Sequence, residues 1–169
     1  MTEVALLAAL PPPVIKWLDD LHRFLPPDRL RPETVAALPA WIEAARADCA
    51  PANRREITKL FRMLSAALPP QFGMDEAVAL PLYIRHLSDQ PAKALPPTLD
   101  DLLRTMTHFP TIKHVRDAAK PYAGTLRLRL HRLELLEECE QIASKTGLPI
   151  SELWRDPHRR SRCRHIESS

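Results

Sequence analysis

Residues 82–116 read LYIRHLSDQPAKALPPTLDDLLRTMTHFPTIKHVR, and how this run turns decides the fold. Leu99, Leu102, Leu103 and Met106 recur at the spacing of one helix face, with no alternation of the kind a half-buried strand needs. Thr98 is placed to cap that helix, and Asp100 and Asp101 then fall in its first turn, where carboxylates suit the dipole. His108-Phe109-Pro110-Thr111 follows. Proline has no N–H and holds the residue before it extended, so the chain turns a corner there. Thr111 can then cap a further helix carrying Val115 and Ala119. A helix, a corner with an apolar Phe109 at its centre, and a second helix are the unit from which the rest is read.

Outward from that run the same signals repeat. Residues 14–25 can form an amphipathic helix, with Trp17, Leu18, Leu21 and Leu25 on one face. Residues 32–47 form another, with Val35, Leu38, Ile42 and Ala45 in its stripe and Pro39 as a kink. Asn53 with Glu56 three residues on is a capping-box spacing, and Ile57, Leu60, Phe61, Leu64 and Leu68 follow it at helical period. Residues 74–88 make a fourth helix, with Val78, Leu82 and Leu87 inward and Pro81 breaking its middle. A longer helix runs from about Pro121 to Ser144 and ends at Gly147. Its stripes, Leu126, Leu130, Leu133, Leu136 and then Leu128, Leu135, Ile142, suit a helix packed on two neighbours.

Composition agrees with helices. Of 169 residues, 45% are apolar, only 5% aromatic, and there are 3 glycines against 18 prolines. Tight β-turns need glycine, so the turns here are made by proline at helix boundaries. The expected fold is all-α: a compact bundle of six or seven helices over residues 1–147, then a short apolar segment and an Arg-rich, unstructured tail over 148–169. Cys49, Cys139 and Cys163 are odd in number and far apart, so they read as reduced thiols of a cytoplasmic protein. The first residues carry no basic leader, and their apolar run is too short to span a bilayer, so no membrane association is expected.

Chemistry-bearing motifs are few. Glycines 73, 124 and 147 complete neither GxxxxGK[ST] nor GxGxxG, so no phosphate-cradling loop is expected. No cofactor, metal or catalytic centre is expected. His108 and His114 flank the corner without a nucleophile or carboxylate pair beside them, and read as capping or surface residues. Cys163 and His165 lack further ligands, and read as part of the tail. Basic clusters stand out instead. Arg54, Arg55, Lys59 and Arg62 lie on the third helix, with the first two against its dipole. Arg127, Arg129 and Arg132 open the long helix, whose second half is acidic. After Trp154 come Arg155, Arg159, Arg160, Arg162 and Arg164, a run that can hold phosphates or an acidic protein surface. Trp154, these tail arginines and Arg127, Arg129 and Arg132 are the candidate partner-binding residues.

The pattern Tyr83-x3-Leu87-x-Asp89-x-Pro91, a leucine-bearing helix, Phe109-Pro110-Thr111 and then Val115-Arg116 resembles small helical proteins of phage and prophage replication regions, among them the replicative-helicase loader/inhibitor family. The similarity covers about residues 57–119. In that family a Glu–hydrophobic–Arg step follows Phe-Pro-Thr, and here His114 stands where the Glu does. The resemblance implies a helical bundle without ATPase motifs. It also implies a C-terminal part that orders on a hexameric helicase, and a role in delivering a DnaB-type replicative helicase. The alternative is a small DNA-binding or regulatory adaptor that uses its arginines on phosphate, or an inhibitor of a host machine.

Overall fold

The computed structural model describes Leu18 and residues 25–70 and 75–165, with side chains through Ser161. The described residues form seven α-helices and no strand. They are α1 (Pro32–Asp48), α2 (Arg54–Ala67), α3 (Glu76–Leu87), α4 (Leu95–Thr105), α5 (Ile112–Thr146), α6 (Ile150–Arg155) and α7 (Pro157–His165), with a 3₁₀ turn, Ala92–Ala94, before α4. The all-α class expected from the sequence holds. The helix expected over 14–25 lies outside the described residues except for Leu18, which is buried, and Leu25.

The chain divides into two compact units. One runs from Ala47 to Arg127, and the other comprises the residues up to Arg46 together with those from Leu128 on. Each has its own core. In the 47–127 unit the core is Ile57, Leu60, Phe61 and Leu64 of α2, Tyr83 and Leu87 of α3, Leu95, Leu99 and Leu102 of α4, with Phe109 and Val115. In the other unit it is Leu18, Leu38, Trp41, Ile42 and Ala45 with Leu133, Leu136, Cys139 and Ile142 of α5, and Ile150 and Leu153 of α6. The segment after Gly147, expected as an appendage, therefore supplies core residues. Burial pushes the Cys139 thiol up to about 11, so it is a packing residue and an unreactive thiol.

Local chemistry sets most of the ends. Asn53 accepts from the Glu56 N–H at 3.0 Å while the Glu56 carboxylate accepts from the Asn53 N–H at 2.8 Å, the reciprocal box that the spacing predicts. Gly147 takes φ +72, and its N–H donates to Ala143 at 2.8 Å, closing α5. The 47–127 unit also pairs two extended segments. The Ala52 N–H donates to Gln90 and the Ala92 N–H to Ala50, at 2.8 and 3.0 Å, around an isolated Pro51–Pro91 bridge.

Four expectations are corrected. Pro81 and Pro121, read as a break and as a start, both lie inside helices, α3 and α5. Like Pro39 in α1 they sit on exposed faces, where water can take the bond that the ring removes. The short helix after the corner and the long one are thus a single 35-residue helix. Thr98 does not cap α4. Pro96 and Pro97 occupy the first turn, where a missing N–H costs nothing, so the helix starts earlier. Thr98 is buried, with its hydroxyl donating to the Ala94 carbonyl at 2.6 Å. Asp100 and Asp101 then sit past the first turn, and Asp101 accepts from the Tyr122 hydroxyl. On α3 the inward residues are Tyr83 and Leu87, while Val78 and Leu82, expected inward, are 60% and 43% exposed. Finally, the tail is helical over Pro157–His165. Asp156 accepts from the Arg159 N–H at 2.9 Å and Pro157 begins the helix, so polar capping supplies what apolar burial does not.

Candidate functional site: the corner and the basic surfaces

The residues of the Tyr-Leu-Asp-Pro and Phe-Pro-Thr pattern come together in the 47–127 unit. Phe109 is 2% exposed and meets two rings, Phe61 at 5.1 Å and Tyr83 at 5.7 Å. Phe61 and Tyr83 in turn stand edge-on at 5.1 Å. Its ring partners are on α2 and α3, and Leu99 and Leu102 of α4 and Val115 of α5 belong to the same core. The buried Tyr83 hydroxyl donates to the Pro110 carbonyl, and burial raises its pKa. The Phe109 N–H donates to Pro69 at 2.9 Å, tying the corner to the chain just after α2. Pro91 and Pro110 are buried as well.

Thr111 starts α5 as expected, with an unexpected counterpart. Its hydroxyl accepts from the His114 N–H at 3.3 Å, and the His114 Nδ1 accepts from the Thr111 N–H at 3.3 Å. Histidine thus completes a reciprocal cap in the place where a glutamate would do so. The capping reading of His114 holds. His108 contacts the Thr107 hydroxyl through Nδ1 at 3.0 Å.

Asp89 is the second node. The Arg116 guanidinium grips its carboxylate with two bonds, 3.0 and 2.9 Å, and the Arg127 guanidinium donates to the Asp89 carbonyl at 3.2 Å. Two arginines of α5 thereby hold the turn after α3. Partial burial opposes ionisation of Asp89, but hydrogen bonds from Arg116 and Gln90 together outweigh it and lower the carboxyl's pKa. Because the folded pKa lies below the unfolded one, the pair stabilises at neutral pH and loses that contribution as the pH falls through about 4 and below. With side chains 40% and 56% exposed, solvent screening limits it to about 0.2–1 kcal/mol. Asp89→Asn is expected to lower the stability by about that much at pH 7, and the difference from the parent is expected to vanish in acid. Urea melts across that range measure it, and a difference that does not depend on pH would discard the ion pair as its source.

The predicted partner-binding residues are placed unevenly. Arg132 is 8% exposed, and its guanidinium donates to the Leu18 carbonyl, so it serves the fold. Arg127 is occupied at Asp89, and Arg129 is half-buried and partnered. Arg160 donates to the Leu153 and Trp154 carbonyls, and Arg159 pairs with Glu152 at 2.5 Å. Trp154 is half-buried against the Leu133–Leu153 core. Arg155 is exposed. The side chains of Arg162 and Arg164 lie outside the described residues. Among the described residues Arg127, Arg129, Arg132, Arg159 and Arg160 are each taken up by a partner within the protein.

A further basic cluster is on α2. Arg54, Arg55, Lys59 and Arg62 are all exposed, and with Thr58 and Met63 they line a shallow depression along the helix. None of the four has an acidic partner among the described residues. The signal for it was in the sequence: two arginines in a first turn where the dipole disfavours cations. Among the described residues no helix is long and apolar enough to cross a membrane, and no group of three His, Cys, Asp or Glu could hold a metal ion. No family model, curated protein or solved structure matches the chain.

Proposed function

We propose that this chain is a binding protein of the phage or prophage replication type, acting in the cytoplasm, that engages a replicative DnaB-type helicase and helps to load it. The resemblance over residues 57–119 suggests the partner, and one observation about α3 supports a protein as the thing bound. α3 carries the motif residue Tyr83 on its buried face and turns Val78 and Leu82, one helical turn apart, outward beside the exposed Pro81. An exposed apolar patch on a helix anchored by a buried aromatic cluster is a surface that a protein partner covers, because burying it removes apolar area from water. Motif residues Tyr83, Phe109, Pro110, Asp89 and Arg116 then act as the scaffold that fixes α3, and contact is made by its outer face.

Co-elution with a replicative helicase at moderate salt tests the reading. Burying a Val or Leu side chain contributes about 1.5–3 kcal/mol, so Leu82→Glu is expected to weaken the complex about tenfold or more. The variant is expected to melt like the parent, because Leu82 is 43% exposed. Failure of the parent protein to co-elute with the helicase would overturn the proposal. Unchanged capture by Leu82→Glu would remove α3 from it.

A further inference from the structure

We infer that the outer face of α2 is a docking surface for the phosphate backbone of duplex DNA. Three observations lead there. The first is charge. α2 holds four cations and one carboxylate, a net +3, which equals the net charge of the whole chain. The one carboxylate, Glu56, is turned back onto the Asn53 N–H, so it does not neutralise the face. The second is placement. Arg54, Arg55, Lys59 and Arg62 fall on one side of the helix while Ile57, Leu60, Phe61 and Leu64 fill the core behind it. The third is local energetics. Arg54 and Arg55 occupy the first turn, where the helix's own partial positive charge repels them; neither has a salt-bridge partner among the described residues, and the one first-turn carboxylate, Glu56, is engaged by the Asn53 N–H. Helix stability disfavours cations there, and an external anion reverses the sign.

The face also fits its occupant. From Arg54 to Arg62 is eight residue steps, about 12 Å of helix at 1.5 Å per step. An α-helix about 10–12 Å wide matches the major groove of duplex DNA, about 12 Å across, so these side chains reach the phosphates on its edges. Single strands are held chiefly by stacking on aromatic side chains, and the exposed face of α2 has none, since Phe61 is 1% exposed. Protein interfaces centre on aromatic or other large anchors, and here the only large apolar residue is Met63 at the edge. Positioning by phosphate carries no sequence information, so the contact serves any sequence. This surface is separate from the α3 face proposed for the helicase, and it needs no helicase to be measured.

The test is fluorescence anisotropy of a labelled duplex with the full chain alone. If all four cations reach phosphates, affinity falls about a hundredfold between about 50 and about 200 mM salt. The triple variant Arg55→Ala, Lys59→Ala, Arg62→Ala is expected to flatten the slope of log affinity against log salt by about 2.7, or 0.9 per cation. It is expected to melt no lower than the parent, since a first-turn arginine is removed and no core residue is touched. A charge-matched control at the exposed Arg85, Arg104 and Lys113 removes the same net charge elsewhere and is expected to keep the parent's slope. Equal loss in both variants would overturn the inference, as would the absence of duplex binding at about 50 mM salt. Tighter binding to a single strand of the same length would overturn the assignment to duplex. A triple variant that binds DNA normally but no longer captures the helicase would assign the face to an acidic protein surface instead.

Discussion

Replacing Phe109 by alanine is expected to cost about 3–5 kcal/mol, the usual loss for a buried phenylalanine. That is a large part of the about 5–15 kcal/mol that holds a domain together. The magnitude follows from what the ring touches. Phe109 is 2% exposed and lies against both Phe61 and Tyr83, so truncation empties the centre of a three-ring cluster drawn from α2, α3 and the corner. Edge-to-face pairs add about 0.5–1.5 kcal/mol beyond the area they bury. The neighbouring Tyr83 hydroxyl, which donates to Pro110, loses its steric support as well. Urea unfolding followed by far-UV circular dichroism measures the effect. A midpoint within a few degrees or a few tenths molar of the parent would show that the corner is not anchored by this ring. The same cluster holds α3, whose outer face, the proposed partner surface, carries Val78 and Leu82.

Leu153→Ala is expected to cost about 2–5 kcal/mol, comparable to Phe109→Ala, in the other unit. Leu153 is fully buried in a core with Leu133, Leu136, Cys139 and Ile150. α6 is held there at its start, where the Ile150 N–H donates to Asp28 at 3.0 Å and the Ser151 hydroxyl bonds the Asp28 carboxylate. It is held at its end by Arg160, which donates to the Leu153 and Trp154 carbonyls. Trp41 and Trp154 belong to or pack on the same core, so tryptophan fluorescence in urea reads its loss directly. The exposed Arg155, changed to alanine, is expected to shift stability by no more than about 0.5 kcal/mol. Equal, small effects of the two substitutions would mean that the segment after Gly147 is an appendage after all.

These two results bear on what kind of feature can be read without a structure. Asn53 with Glu56, Gly147 and the Phe-Pro-Thr corner were legible because each is a local event, settled within four residues of chain by an N–H that needs an acceptor or a φ that needs a glycine. The stripe on α2 was legible for a related reason: Ile57, Leu60, Phe61 and Leu64 repeat at 3.6 residues, and all are buried. Val78 and Leu82 misled because α3 has apolar residues on most of its circumference, so periodicity alone could not choose its inner face. The prolines misled for a physical reason too. Pro81 and Pro121 each remove one backbone bond, and on an exposed face water can meet that loss.

By itself the sequence determined the all-α class, the capping box of α2, the Gly147 stop of α5, the corner at Phe109-Pro110-Thr111, and the excess of positive charge on α2. Each of these is carried by short-range chemistry or by composition. Only the tertiary structure decided which arginines are spent and which are free. Arg116 is taken up by Asp89, 27 residues away, and Arg132 by the Leu18 carbonyl, 114 residues away. Arg160 is taken up by carbonyls that α6 leaves open at its end. An arginine reads the same in a sequence whether it closes a core or faces water. Its partner is chosen by packing between distant segments, and that choice leaves Arg54, Arg55, Lys59 and Arg62 exposed without an acidic partner among the described residues.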